Sequence, residues 1–511
     1  MDVIRFLDDL RRGGRLVREL PGYLRRPLTL DEARSILARR LESRDADFLD
    51  LLRRGVYANG TSPYLRLLRS AGCEYGDVEN LVRTDGLERT LGTLRSKGVY
   101  LTIDEFKGRR PVDRNGTAFD VEPAALVNRL ASSSMAVATS GSTGAATRIP
   151  LGMDSIRDRA VNTYLTLDAH GGAHWRHAVW GAPGLAPMLW YSACGGPADR
   201  WFSQVDAQSP GFARHKWRAR LVRWGSRVAR VSLPPLTYVP LDAPLPIARW
   251  MHETLARQHI PHLWASASAV VRLCRAARDA GVDVRGSKAT VTGEPITSSR
   301  MDVIRAAGVS PLADYGSADS GGPMAFGCLH PDAPDDVHFF DDLHVVVDGG
   351  ADGLYFSSLR ATAPFVLLNV SMGDRAVVTQ RQCGCPLEAL GWRTHLHTIR
   401  SFEKLTLGGV TFVDTDVLRI LDEVLPALFG GGPTDYQLIE EDAGLRLLVA
   451  TSVGELDEGR VAATFLEALT APSPTLRSIF AQWRDENILT VERRNPISTV
   501  SGKILHLRGG R

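Results

Sequence analysis

Several short segments carry side chains suited to holding phosphate, carboxylate or metal. Val137-Ala138 runs into Thr139-Ser140-Gly141-Ser142-Thr143-Gly144, an apolar stretch opening onto hydroxyls and glycines. Glycine lets the backbone close tightly and present successive N–H groups, which form an anion nest, and the hydroxyls add donors. No Gly-Lys-Ser/Thr follows, so this is not a Walker loop; a polar surface turn is the bland alternative. Further along stand Thr292-Gly293-Glu294-Pro295, then Ala313-Asp314-Tyr315-Gly316-Ser317-Ala318-Asp319, then Met372-Gly373-Asp374, then Arg400-Ser401. Ser498-Thr499-Val500-Ser501-Gly502-Lys503 places a lysine close to the C-terminus.

A second chemistry is suggested by Cys383-Gly384-Cys385, with Cys328 and His338 upstream. Three thiolates and one imidazole would make a closed tetrahedral zinc site. His330 competes with His338 as the fourth ligand, and reduced, metal-free cysteines are the plain alternative. Cys73, Cys194 and Cys274 have no partner pattern and read as core.

The elements that must position these groups are legible in outline. Residues 1–105 read as mostly helical, with an amphipathic run opening at Leu30 and a helix start at Thr102, where Glu105 follows three residues on. From about 130, apolar runs such as Met135–Ala138, Ala289–Thr292, Leu343–Val347 and Phe365–Val370 read as buried strands. Helical stretches, including Ile247–Arg257 and Ser266–Ala280, lie between them, which argues for an α/β body. Gly349–Gly353 marks a tight turn. After about 402 a smaller unit is expected, with a helix over Thr415–Leu425, strands over Tyr436–Ile439 and Leu445–Ala450, and a helix from about Glu458 to Leu469.

In this order and spacing the segments resemble the adenylate-forming superfamily of acyl-CoA synthetases and ligases, nearest the phenylacetate–CoA ligase branch. The resemblance spans about residues 60 to 505. It implies a large N-terminal α/β domain with mixed sheets, a smaller mobile C-terminal α+β domain, and an active site at their junction. The domains implied are 1–105 as the helical part of the large domain, 106–400 as its core, and 401–511 as the small domain. The loop at 139–144 resembles the family's phosphate loop, with Ala146 where a proline is usual. Gly293, Glu294 and Pro295 would line adenine, with Asp314, Gly316 and Ser317 also at the nucleotide. Tyr315 would stack on the base. Asp319, in place of the usual Glu, would hold magnesium; Asp374 would bind ribose hydroxyls; Arg400 would contact ribose or phosphate; Lys503 would be the adenylating lysine. An ammonium there neutralises charge on phosphate and carboxylate oxygens as the adenylate forms. Some members of the branch also carry a cysteine-rich cluster near Cys383.

The resemblance implies ATP and magnesium as cofactors, with a structural zinc, and a ligase of secondary metabolism. Trp180, Gly181, Trp190 and Tyr191 would suit a flat aromatic acid, although each aromatic is equally suited to core packing. The acceptor is open between CoA, an amine and a carrier-protein thiol. The position two after Arg400, acidic in the family, is Phe402, with Glu403 next, and an expected Arg-Gly pair is Gly408-Gly409. Both departures weaken the CoA reading. Nitrite activation toward an arylamine and a non-catalytic nucleotide-binding relative are the other readings, and retention of Tyr315, Asp319, Asp374 and Lys503 argues against the last.

Composition sets the outer bounds. The 511 residues exceed one compact core. The net charge of +3, with Arg interleaved among acids, gives no nucleic-acid footprint. No apolar run reaches membrane-spanning length, and the acid-bearing start is unlike a signal peptide, so a cytoplasmic, reduced setting is expected.

Overall fold

The computed structural model describes residues 3–114, 116–138, 148–194, 198–206, 225–231, 233–401, 404–407, 410–441, 444–471, 488–499 and 502–509. Thr139, Ser140, Gly141, Ser142, Thr143 and Gly144 lie outside them, as do Phe402, Glu403, Gly408 and Gly409.

Helices build the N-terminal part, the first spanning Val3–Leu24. Thr29 caps Leu30–Glu42, its hydroxyl accepting from the Glu32 N–H. The expected capping box forms at Ile103–Phe106: Thr102 N–H donates to Glu105 Oε2 at 2.8 Å, and Glu105 N–H to Thr102 Oγ1 at 3.3 Å. That turn ends at Lys107.

The body is a ten-stranded sheet. Its strands are β1 (Arg176–Gly181), β2 (Arg200–Ser203), β3 (Leu236–Tyr238), β4 (Pro261–Ser266), β5 (Lys288–Thr292), β6 (Ser310–Ser317), β7 (Gly322–Gly327), β8 (Val337–Phe339), β9 (Asp374–Gln380) and β10 (Thr394–Ser401). The order is β9-β10-β8-β7-β6-β5-β4-β1-β2-β3. The six strands β3-β2-β1-β4-β5-β6 are parallel, and the other four join antiparallel. Sequence order reverses between β1 and β4, so the loops leaving their carboxyl ends diverge and open a crevice there.

The two faces of the parallel part differ in chemistry. Ala178, Trp180, Leu263, Ala265, Ala289, Val291 and Ala313 form an apolar face packed with residues of helices Leu245–Ala256, Ala267–Asp279 and Ser298–Ala306. The side chains between them, His177, His262, Trp264, Thr290, Thr292 and Asp314, point the other way, toward helices Met153–Ala169 and Ala186–Ala193.

A three-stranded sheet, His344–Asp348, Leu354–Ser358 and Val370–Ser371, flanks the body. The expected strand over Phe365–Val370 is only its last residue. Asn369 adopts φ +47°, and its side-chain amide donates to the carbonyls of Leu91 (2.8 Å) and Val99 (3.1 Å). The apolar run is therefore a buried loop tied to the N-terminal helices.

The C-terminal unit has its own core, including Leu421, Leu438, Leu447, Phe465 and Leu469. Its sheet holds β11 (Tyr436–Glu441), β12 (Gly444–Val449), β13 (Leu489–Arg493) and β14 (Leu507–Gly509) in the order β13-β12-β11-β14, packed by helix Glu458–Thr470. The expected helix at 415–425 forms as Asp414–Arg419, a wider turn at Ile420–Val424, and Leu425–Phe429. Among the described residues no helix is long and apolar enough to cross a membrane.

Candidate functional site

The carboxyl ends of β4, β5 and β6 meet the C-terminal segment. Lys503 arrives on a tight turn: Gly502 N–H donates to Thr499 O, and Thr499 N–H to Lys503 O, both at 2.8 Å. Ile504 is 2% exposed and sits in the core of the large unit rather than the small one. Its N–H donates to Glu294 Oε1 at 2.6 Å. Glu294 also accepts from the N–H (2.6 Å) and hydroxyl (2.8 Å) of Ser268, in the first turn of helix Ala267–Asp279. The Ser266 hydroxyl, ending β4, donates to Gly502 O at 3.3 Å.

Lys503 lies against the backbone of Gly293. That glycine has φ +74°, and a Cβ there would stand 2.9 Å from Lys503 Cε and 3.0 Å from Nζ. Only glycine meets both conditions. Burial pushes the lysine below the usual ammonium range, while the carboxylates of Glu294 and Asp374 hold it up. Tyr315 donates its hydroxyl to Asp374 Oδ2 at 2.8 Å, and its ring leans toward Phe356, 6.3 Å between centroids. Burial, then Asp374, keeps that phenol neutral. A flat ring, a carboxylate and an ammonium thus share one edge of the sheet.

Two expected residues have partners that the sequence did not announce. Asp319 is ion-paired with Lys107, whose Nζ lies 2.8 and 2.7 Å from its two oxygens; both side chains are largely buried. The Asp319 N–H donates to Ser317 Oγ at 3.1 Å. The capping box ending at Lys107 was the available signal, but nothing local linked it to a residue 212 positions away. Arg400 donates to Asp335 Oδ2 at 2.9 Å, and the same carboxylate accepts from the N–H groups of Thr398 and Ile399. Pro295 contributes its carbonyl to Arg300 Nη1 at 3.2 Å.

Asp314 lies on the opposite face of β6 from Tyr315, because neighbouring side chains on a strand alternate. Its Oδ2 accepts from Trp264 Nε1 at 3.4 Å, and among the described residues its buried Oδ1 has no partner. Burial pushes this acid up to about 7, against the hydrogen bonds of Thr292 and Trp264. Trp264 meets Trp190 edge to face at 6.4 Å, and Trp190 Nε1 is likewise buried without a partner among the described residues. Tyr191 stacks on His177 at 4.7 Å, and His177 Nδ1 lies 3.0 Å from His262 Nδ1. A Cβ on Gly181 would touch Trp264 at 3.9 Å. Trp190, Tyr191 and Gly181 therefore border one aromatic-walled region. Trp180 does not: it is fully buried on the apolar face and donates to Val239 O at 2.9 Å, so it is core. Trp264 was missed because an aromatic in a strand reads as packing.

The metal-ligand set converges. Cys328 follows β7, His338 lies on β8, and Cys383 and Cys385 follow β9; their ligand atoms all lie within 4.8 Å of one another. His338 Nε2 is 3.5 Å from Cys383 Sγ and 3.1 Å from Cys385 Sγ. Its Nδ1 lies 2.7 Å from Trp392 O. A carbonyl only accepts, so Nδ1 carries the proton and Nε2 keeps its lone pair for a metal. His330 is not part of that set; its ring Nδ1 bonds Cys383 O at 2.8 Å, and its backbone N–H donates to Cys328 Sγ at 3.3 Å.

Compared with known protein families and with curated proteins, the chain matches none. Among solved structures it is similar to 2-hydroxyisobutyryl-CoA ligase in complex with 2-HIB-AMP and CoA, at 13% identity over 92% of this chain and 90% of that one, TM-score 0.47. It is similar to an anthranilate CoA ligase in complex with anthranoyl-AMP, at 10% identity over 72% and 65%, TM-score 0.43. It is also similar to the O-succinylbenzoate coenzyme A synthetase of Bacillus subtilis in complex with ATP and magnesium, at 11% identity over 74% and 70%, TM-score 0.42.

Proposed function

We propose that this chain is an adenylate-forming ligase of the phenylacetate–CoA ligase-like branch, working in the cytoplasm in secondary metabolism. It joins a small aromatic carboxylic acid to the α-phosphorus of ATP. The carboxylate oxygen forms the new bond and pyrophosphate leaves. The observation that carries the reading is Lys503, brought by Ile504 and Glu294 from the C-terminal unit onto Gly293, beside Asp374 and Tyr315. An ammonium fixed there neutralises charge that develops as carboxylate and phosphate meet, without reorganisation at the moment of reaction. Asp374 would accept from ribose hydroxyls, and the 139–144 loop would hold phosphates.

Magnesium would be held largely through the phosphates of ATP. Asp319 can serve it once Lys107 lets go, and the triphosphate attracts both cations. Cys328, His338, Cys383 and Cys385 fit a structural zinc: thiolates and imidazole are its preferred ligands and the set is closed. The acyl group then passes to an amine or a carrier thiol in preference to CoA, the departures at Phe402 and Gly408-Gly409 being the motive. Pyrophosphate release across a panel of acids, nitrite included, tests the reading. Release with an aryl acid supports it, and silence with every acid refutes it. Supplying CoA against a candidate amine then tests the acceptor: fast thioester formation without preference for the amine leaves a plain aryl–CoA ligase.

A further inference from the structure

The partnerless oxygen of Asp314 is the observation that goes furthest. A buried carboxylate oxygen without a donor costs about 1–3 kcal/mol, more when charged, so such groups normally find a partner. Here Trp264 and Thr292 serve the carboxyl, and among the described residues Oδ1 still has no hydrogen-bond partner. No arginine or lysine of the described residues bonds or ion-pairs with it. Trp190 Nε1, one aromatic contact away through Trp264, is bare too. The unsatisfied oxygen of Asp314, beside Trp264 and the Trp190 ring it meets, marks a place where a ligand, not the protein, completes the hydrogen bonding.

Position indicates which part of the ligand. Asp314 is in register with Thr292 of β5, and Thr292 with Ser266 of β4, whose hydroxyl holds Gly502 next to Lys503. Two strand spacings are roughly 10 Å, which side chains reaching in from both ends reduce to about the length of one substituted aromatic ring. An acid with its carboxylate at Lys503 would carry its far ring substituent to Asp314.

We propose that Asp314 anchors an amino group on the acid this site adenylates, so that the substrate class is an amino-substituted aromatic acid. The proposal rests on the adenylation reading. In its ionised form the carboxylate only accepts, so a ligand that holds it ionised must donate. A nitrogen donor also gains charge pairing when protonated, and faces of Trp190 and Trp264 favour a cation. A second carboxylate or a nitro group would be repelled by that ionised form. Burial already pushes the Asp314 acid up to about 7, as an uncompensated site requires.

The test uses the full-length protein with ring-matched aryl acids bearing an amino, hydroxyl, methyl or no substituent. Each is measured by ATP–pyrophosphate exchange and, independently, by calorimetric binding. The expected result is at least tenfold preference for the amino acid analogue in both, collapsing toward one in Asp314→Asn and Asp314→Ala. Loss of AMP affinity together with the amine preference would instead put Asp314 at the nucleotide and overturn the proposal. Equal use of amino- and methyl-substituted acids, or a preference surviving in Asp314→Ala, overturns the proposal. Equal preference for the hydroxyl analogue overturns the amine class. Amine-selective binding that Asp314→Ala abolishes, with no exchange, supports the anchor and refutes adenylation.

Discussion

At the scale of the residue, Lys503 and Asp314 make opposite demands on one buried edge. On the proposed reading Lys503 acts on charge that appears in the transition state, so Lys503→Ala should lower kcat by about two orders of magnitude or more while ATP binding holds. Adenylate formation at the normal rate would remove the mechanism. Asp314 gives a signature in stability. Its folded acid titrates at about 7, while an unfolded aspartate titrates near 4. Between those values the folded state binds more protons, so its contribution to stability falls as pH rises from about 4 to about 7. Asparagine has no such dependence. Urea unfolding should therefore show wild type losing stability relative to Asp314→Asn between pH 5 and pH 8. A constant difference across that range would contradict the assignment.

At the scale of the element, two turns hold chemistry that their strands cannot. The β5 carboxyl turn has Gly293 at φ +74° beneath Lys503. Gly293→Ala adds both backbone strain and a clash, so adenylation should drop with little change in overall fold, read by exchange rate against circular dichroism. An alanine variant of normal rate would mean that Lys503 works elsewhere. The other turn is Cys383–Cys385, which with Cys328 and His338 ties the ends of β7 and β9 to β8. Metal analysis should find one zinc per chain, and Cys383→Ser should lower Tm more than it lowers the rate per folded molecule, since such a metal contributes to folding. Metal-free protein of unchanged Tm would exclude the site.

At the scale of the whole molecule, the small unit is locked to the large one by charge as well as by Ile504. Arg300 and Asp422 are 2% and 1% exposed and pair at 2.9 Å, with the Thr297 hydroxyl on the same carboxylate. Arg275 reaches Asp435 at 2.7 Å nearby. Asp422→Ala strands a buried guanidinium and should cost roughly 3–5 kcal/mol in denaturant unfolding, whereas an Arg300→Met/Asp422→Leu double variant should recover much of it. Equal losses in the two would mean that the pair is not buried in solution. The same pair favours the arrangement in which Lys503 meets Gly293.

The local sequence determined a good deal. Periodicity and capping placed the helices at Leu30 and Thr102, the hairpin of Tyr436 and Leu445, and the alternation of strand and helix in the body. These depend on neighbours within a turn or two, which a sequence displays. The cysteine spacing named a ligand set but left His330 and His338 open; β8 decided for His338 by turning its Nε2 toward the thiols. Trp180 and Asp314 could be read only once the faces of the sheet were known, because adjacent strand residues point to opposite sides and a pattern does not say which side holds the site. The run at Phe365 looked like a strand because it is apolar; Asn369 and its bonds to the N-terminal helices made it a loop. The pairing of Lys107 with Asp319, the arrival of Lys503 on Gly293 and the bare oxygen of Asp314 all join segments far apart in the chain. Such contacts follow from the closed packing of the whole fold, and only tertiary structure decides them.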